Sequence, residues 1–60
     1  VARGMGRLPR DEQEAIMLAY AHGMSREEIA RQLGVPVGTV KTRISRGVNR
    51  LRDILAGAAG

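Results

Sequence analysis

Lys41, Thr42, Ser45 and Arg46 share one side of a helical wheel drawn at about 100° per residue. Two are cations and two are short hydroxyls. Such side chains donate to guanine O6 and N7 or to phosphate, or exchange hydrogen bonds with base edges at close range. Asn49 and Arg52 continue that side, and after Pro36 no acid interrupts it before Asp53. Opposite lie Val37, Val40, Ile44, Val48, Leu51, Ile54 and Leu55, within an arc roughly 120° wide that reads as a core-facing stripe. A helix apolar on one side and short-armed and basic on the other is suited to a DNA groove. Gly38 and Thr39 keep its start slim, so that free N–H groups and the positive dipole end can approach a phosphate. The Thr42 methyl can meet a thymine methyl.

Other chemistry finds little support. His22 is the only histidine and there is no cysteine, so a metal site lacks ligands and a disulfide framework is excluded. His22 sits near an expected helix C-terminus, where an imidazole complements the dipole. No serine has a base in plausible sequence context, and no glycine-rich phosphate loop is present. The sequence therefore predicts a binding protein rather than an enzyme, with no cofactor.

The elements that must hold the basic face follow from local punctuation. Leu8-Pro9 opens a first helix, with proline at its first position and Asp11, Glu12 and Glu14 favourably near the dipole's positive end. Gly23 ends it as a left-handed cap. Ser25-Arg26-Glu27-Glu28 has the form of a capping box, the Ser25 hydroxyl accepting from the Glu28 N–H while Glu28 reaches back. A short second helix from about Arg26 to Leu33 buries Ile29, Ala30 and Leu33, and Gly34 supplies the turn. Pro36 holds Val35 extended and presets the third helix. Two helices joined by a short glycine-containing turn make a helix-turn-helix. The supporting helix places Arg26 to touch backbone as it crosses the duplex. The expected fold is all-α, a small helical domain with a helix-turn-helix and a long recognition helix.

Ala15 to Ala21 are seven apolar residues in succession, wider than one core-facing stripe. Such a helix is either buried on several sides or offers a patch to a partner protein. Ile16, Met17, Leu18 and Tyr20 are the candidates for that patch. Arg43 and Arg50 flank the apolar stripe, and the favoured role for both is structural. Their stems pack there while their heads pair with Glu27, Glu28 or Glu14.

Sixty residues make one small domain, which buries only about 60% of its unfolded surface and has a slender stability margin. Residues 1–7 read as a linker remnant, residues 8–55 as the domain and residues 56–60 as a flexible tail. The first residue is Val, which reads as a segment of a longer chain or a processed product. No apolar run approaches the roughly 18 residues of a membrane span, and no signal peptide is apparent, so a cytoplasmic location without membrane association is expected. The net charge of +4 is unevenly spread. Arg3 and Arg7 make the first nine residues +2, five acids outweigh three arginines over residues 10–34, and residues 35–60 carry +4. Cations thus concentrate on the last helix, the footprint of a nucleic-acid binder.

From Leu8 to Arg52, about three quarters of the chain, the sequence resembles region four of bacterial sigma factors, particularly the extracytoplasmic-function group. Leu8-Pro9 and the run from Gly23 to Ala30 carry part of the likeness, although the latter is shared by many helix-turn-helix families. The run from Leu33 through Pro36-Val37-Gly38-Thr39-Val40-Lys41-Thr42-Arg43 to Arg46 is more specific. The resemblance implies a domain that docks on the −35 element of double-stranded promoter DNA while held by the β-subunit flap of RNA polymerase. It implies base reading at Lys41, Thr42, Ser45 and Arg46, and backbone contacts at Gly38-Thr39 and at the Arg26-Glu27 helix start. It further implies sequestration by an anti-sigma factor, which would occupy the surplus apolar surface around Ile16 to Tyr20.

Two positions depart from the family pattern. Arg26 stands where an aromatic is frequent, and Gly47 replaces the usual alanine at a helix cost of about 1 kcal/mol. A promoter-melting region is expected upstream of the segment. Response-regulator DNA-binding domains are similar over Gly38 to Thr42, but usually carry His where Arg43 stands. A protein-interaction decoy that binds an anti-sigma factor without touching DNA is the other alternative.

Overall fold

A computed structural model of the chain describes residues 7–59. The linker assigned to residues 1–7 lies outside the described residues except for Arg7. Among the described residues there are three helices: α1 at Arg10–Ile16, prolonged by a π-helical turn at Met17–Ala21, then α2 at Arg26–Leu33 and α3 at Val37–Ala59. No strand occurs among the described residues.

Each boundary has a local cause. Pro9 stands one residue ahead of α1 with ψ of 146°, and its carbonyl accepts from Gln13 N–H at 3.0 Å. It is the cap, not the first helical residue that the proline rule predicts, because its extended ψ leaves only its carbonyl in the helical ladder. The π-helical turn was not expected. Met, Leu, Ala and Tyr are ordinary helix residues and carry no local signal for the wider turn. His22 N–H bonds the Met17 carbonyl at 3.2 Å, one residue beyond α spacing. Gly23 then takes φ of 64° and ends the segment.

The capping box of α2 is complete. Ser25 Oγ accepts from Glu28 N–H at 3.1 Å, and Glu28 Oε1 accepts from Ser25 N–H at 2.9 Å. The Ser25 backbone and side-chain hydrogen bonds, with help from Arg31, hold the Glu28 carboxyl below the usual glutamate range, against a small opposing effect of desolvation. Gly34 closes α2 in the left-handed conformation at φ of 69°, where a Cβ would be strained. Pro36 caps α3, its carbonyl accepting from Thr39 and Val40 N–H at 3.0 and 3.3 Å.

The core has two centres. Ile29, Ala30 and Val40 form one, with Leu18, Ala19, Met24, Leu33, Val35 and Ile44 packed around them. Leu8 and Ile16 form the other, closed by Leu51 of α3. The π-helical turn lies between them, so that neighbouring residues of one helical segment feed both clusters. α3 seats in both, α2 against its first half and α1 farther along. Its buried stripe is narrower than the wheel suggests. Val37 is 42% and Leu55 60% exposed, because one precedes and the other outruns the helices that cover α3. The helix is described as far as Ala59, within residues 56–60 that the sequence assigns to a tail; alanine favours this turn and Gly57 opposes it.

α1 crosses α3 at Gly47. A Cβ there would overlap Ile16 Cδ1 and lie 3.2 Å from Ile16 Cγ1 and 3.4 Å from Glu12 Cβ. The departure from alanine therefore accompanies a close approach of the two helices. That approach buries Glu12 to 5% exposure, and Arg50 Nε stands 2.8 Å from its Oε1. The N–H is not directed at Oε1, which accepts no hydrogen bond, so the contact is electrostatic. Arg43 Nε lies 3.6 Å from Asp11 Oδ2. Both arginines play the structural role expected of them, but their partners are Asp11 and Glu12, not Glu14, Glu27 or Glu28. The first turn of α1, not α2, lies across that flank of α3.

Candidate nucleic-acid interface

Burying Val40 completely fixes the rotation of α3 and turns the opposite side to solvent. Lys41, Thr42, Ser45 and Arg46 are all exposed, as are Gly38 and Arg26, while Thr39 is half-buried. The candidate DNA-binding residues therefore form one outward surface, but they divide between two concavities. Gly38, Thr39, Thr42 and Arg46 line a groove walled by Asp11, Pro36 and Arg43. Lys41 and Ser45 line another, shared with Arg26 of α2.

The chemistry available to Thr42 is narrower than its residue type suggests. Its Oγ1 donates to the Gly38 carbonyl at 3.0 Å, so the hydrogen is directed into its own helix. Outward it presents oxygen lone pairs and a methyl. Lys41 and Arg46 carry no ion pair among the described residues, which leaves both cations free for an external anion. Arg43, beside Arg46, is drawn toward Asp11.

The apolar patch separates into two kinds of residue. Ile16, at 6% exposure, belongs to the Leu8 cluster, and Leu18 is half-buried against the Ile29 cluster. Ile16 is therefore not free to form a partner patch, whereas Leu18 keeps part of its surface on the groove that Met17 borders. Met17 and Tyr20 remain exposed, at 45% and 70%, but on different surfaces. Met17 borders a groove with Arg10, Gln13, Glu14, Leu18 and His22. Tyr20 borders the groove of Arg26, Lys41 and Ser45 together with Asn49 and Arg52. Sequence reasoning kept Tyr20 out of the basic face, since nothing local reveals that the end of one helix will lie beside the outer flank of another.

Among the described residues no group of three His, Asp or Glu side chains could hold a metal ion. No helix there is long and apolar enough to cross a membrane.

The family model for sigma-70, region 4, matches residues 1–51. The chain is 49% identical over 49 residues to the ECF RNA polymerase sigma factor SigE of Mycolicibacterium smegmatis, covering 82% of this chain and 19% of that protein. It is 48% identical over 49 residues to the ECF RNA polymerase sigma factor SigW of Bacillus subtilis, covering 82% and 26%. To the ECF RNA polymerase sigma factor EcfG of Rhodopseudomonas palustris it is 39% identical over 51 residues, covering 85% and 28%. The chain thus spans less than a third of the length of these relatives.

Proposed function

This chain belongs to the sigma-70 region 4 family, in its extracytoplasmic-function group, and we propose that it reads the −35 promoter element for RNA polymerase. One observation carries this reading: Lys41, Thr42, Ser45 and Arg46 stand exposed on one surface opposite the buried Val40. In helix-turn-helix docking the second helix enters the major groove while the first crosses the backbone. On this chain those roles fall to α3 and to Arg26 at the start of α2. Gly38 and Thr39 bring the α3 N-terminus to a phosphate.

The protein partners are the β-subunit flap of the polymerase and an anti-sigma factor, and of the candidate patch residues Met17 is the one that stands exposed away from the basic groove. The role is binding, not catalysis, and its setting is the cytoplasm, where promoter DNA and polymerase meet. The named relatives are sigma factors, which disfavours the response-regulator alternative.

Arg46→Ala tests the reading in a binding assay on duplexes varied through the −35 element. Loss of preference at one base pair, worth about 1–3 kcal/mol for a bidentate contact, is expected. Uniform weakening on every sequence would make Arg46 a phosphate anchor. Salt-insensitive behaviour, with Lys41→Ala and Arg46→Ala both silent, would point to the decoy alternative.

A further inference from the structure

The groove bordered by Tyr20, Arg26, Lys41, Ser45, Asn49 and Arg52 has Ile44 and Val48 as its apolar members. Three of its side chains are cations, three more carry hydroxyl or amide groups, and none is acidic. It lies between the start of α2 and the flank of α3, beside the surface assigned to base reading. We propose that it seats the sugar–phosphate strand bordering the major groove, with Tyr20 and Arg52 as phosphate contacts in addition to Arg26. This rests on the promoter reading but assigns residues that reading does not use, and it moves Tyr20 from a protein-binding patch to the nucleic-acid face.

Three observations favour a phosphate strand over base edges or an acidic protein. The lining carries positive charge from two helices at once, which complements a continuous anion. Lys41 and Arg52 are eleven positions apart on α3, about 16 Å at 1.5 Å per residue. A DNA strand carries one charge about every 3.4 Å along its axis, so that length meets more than one phosphate. Tyr20 is 70% exposed, and its hydroxyl can donate to a phosphate oxygen without first breaking a hydrogen bond recorded in the structure. Met17 meanwhile lies on a separate groove that includes Glu14, where an anionic strand is less welcome.

The test uses the 60-residue chain with Tyr20→Phe, Arg52→Ala and the double variant. Binding is followed by fluorescence anisotropy over a range of salt. The targets are a random-sequence duplex and a duplex enriched by the unsubstituted chain from a randomised pool. Both positions are exposed, and circular dichroism checks that the helices persist. Arg52→Ala should weaken both duplexes by the same factor and reduce the log-affinity versus log-salt slope by about 0.9. Tyr20→Phe should weaken both roughly two- to tenfold with an unchanged slope, since a neutral hydroxyl releases no counterion. Affinities equal to the unsubstituted chain, or a change confined to the enriched duplex, overturn the proposal. So does loss of polyglutamate binding with DNA binding intact, which would give the groove to an acidic protein. If no sequence is enriched but the two variants still weaken the random duplex as described, the promoter reading fails and the phosphate groove stands.

Discussion

Gly47→Ala probes how closely α1 and α3 approach. Alanine in place of glycine favours a helix by about 1 kcal/mol, which acts to stabilise the domain. Against this, the new methyl would overlap Ile16 Cδ1 and press on Ile16 Cγ1 at 3.2 Å and Glu12 Cβ at 3.4 Å. Ile16 is 6% exposed, so its terminal methyl has little room to swing toward water. Forcing it off its rotamer costs about 0.5–1.5 kcal/mol, and overpacking a core costs about 1–3 kcal/mol. The expected net effect lies between neutrality and a loss of about 2 kcal/mol.

The sharper quantity comes from a second background. Ile16→Val removes the overlapping Cδ1 atom, at about 0.5–1.5 kcal/mol by itself. With valine at position 16, Gly47→Ala should keep most of its helix gain. The two substitutions should therefore compensate one another by about 1–2 kcal/mol in a double-mutant cycle measured by urea unfolding. Additivity to within about 0.3–0.5 kcal/mol, the behaviour of independent sites, would falsify the close crossing.

Arg50→Ala should destabilise the domain by about 1–3 kcal/mol, because it leaves the buried Glu12 carboxylate without a partner; an unchanged urea midpoint would show that water already serves that group. Glu28→Gln should flatten the pH dependence of stability on the acid side. The Glu28 carboxyl is held below its usual range, so its contribution is present at neutral pH. It is lost as pH falls from about 4.3, the ordinary glutamate value, through the lower folded one. An acid unfolding curve of the same slope in both proteins would sink that account. Leu18→Glu should unfold the domain, since Leu18 packs against the Ile29 cluster. Met17→Glu should leave circular dichroism unchanged while weakening a protein partner, and loss of structure in the Met17 variant would mean that the exposed thioether supports the fold.

What the sequence disclosed was local. The Ser25 capping box, the left-handed Gly23, the turn at Gly34, the span of α2 and the outward side of α3 all follow from spacings of four residues or fewer. They needed no knowledge of which helix meets which. The partners of Arg43 and Arg50 did need that knowledge. Opposite charges on either of two helices could have answered them, and the crossing at Gly47 selected α1. The π-helical turn escaped as well, since its residues favour helix in general and carry no local signal for the wider turn. The breadth of the apolar run from Ala15 to Ala21 was visible, but not its division among core, an exposed Met17 and a Tyr20 beside the basic groove.

If α3 reads bases as proposed, the hydrogen bond from Thr42 into its own helix at Gly38 gives that side chain a power of veto. Guanine offers only acceptors, N7 and O6, at its major-groove edge, so a hydroxyl with its proton turned away would set lone pair against lone pair. On the proposed promoter reading Thr42 then discriminates by what it refuses: adenine and cytosine offer an exocyclic amine to its lone pairs, whereas thymine meets it through the methyl alone, its O4 being an acceptor like guanine O6.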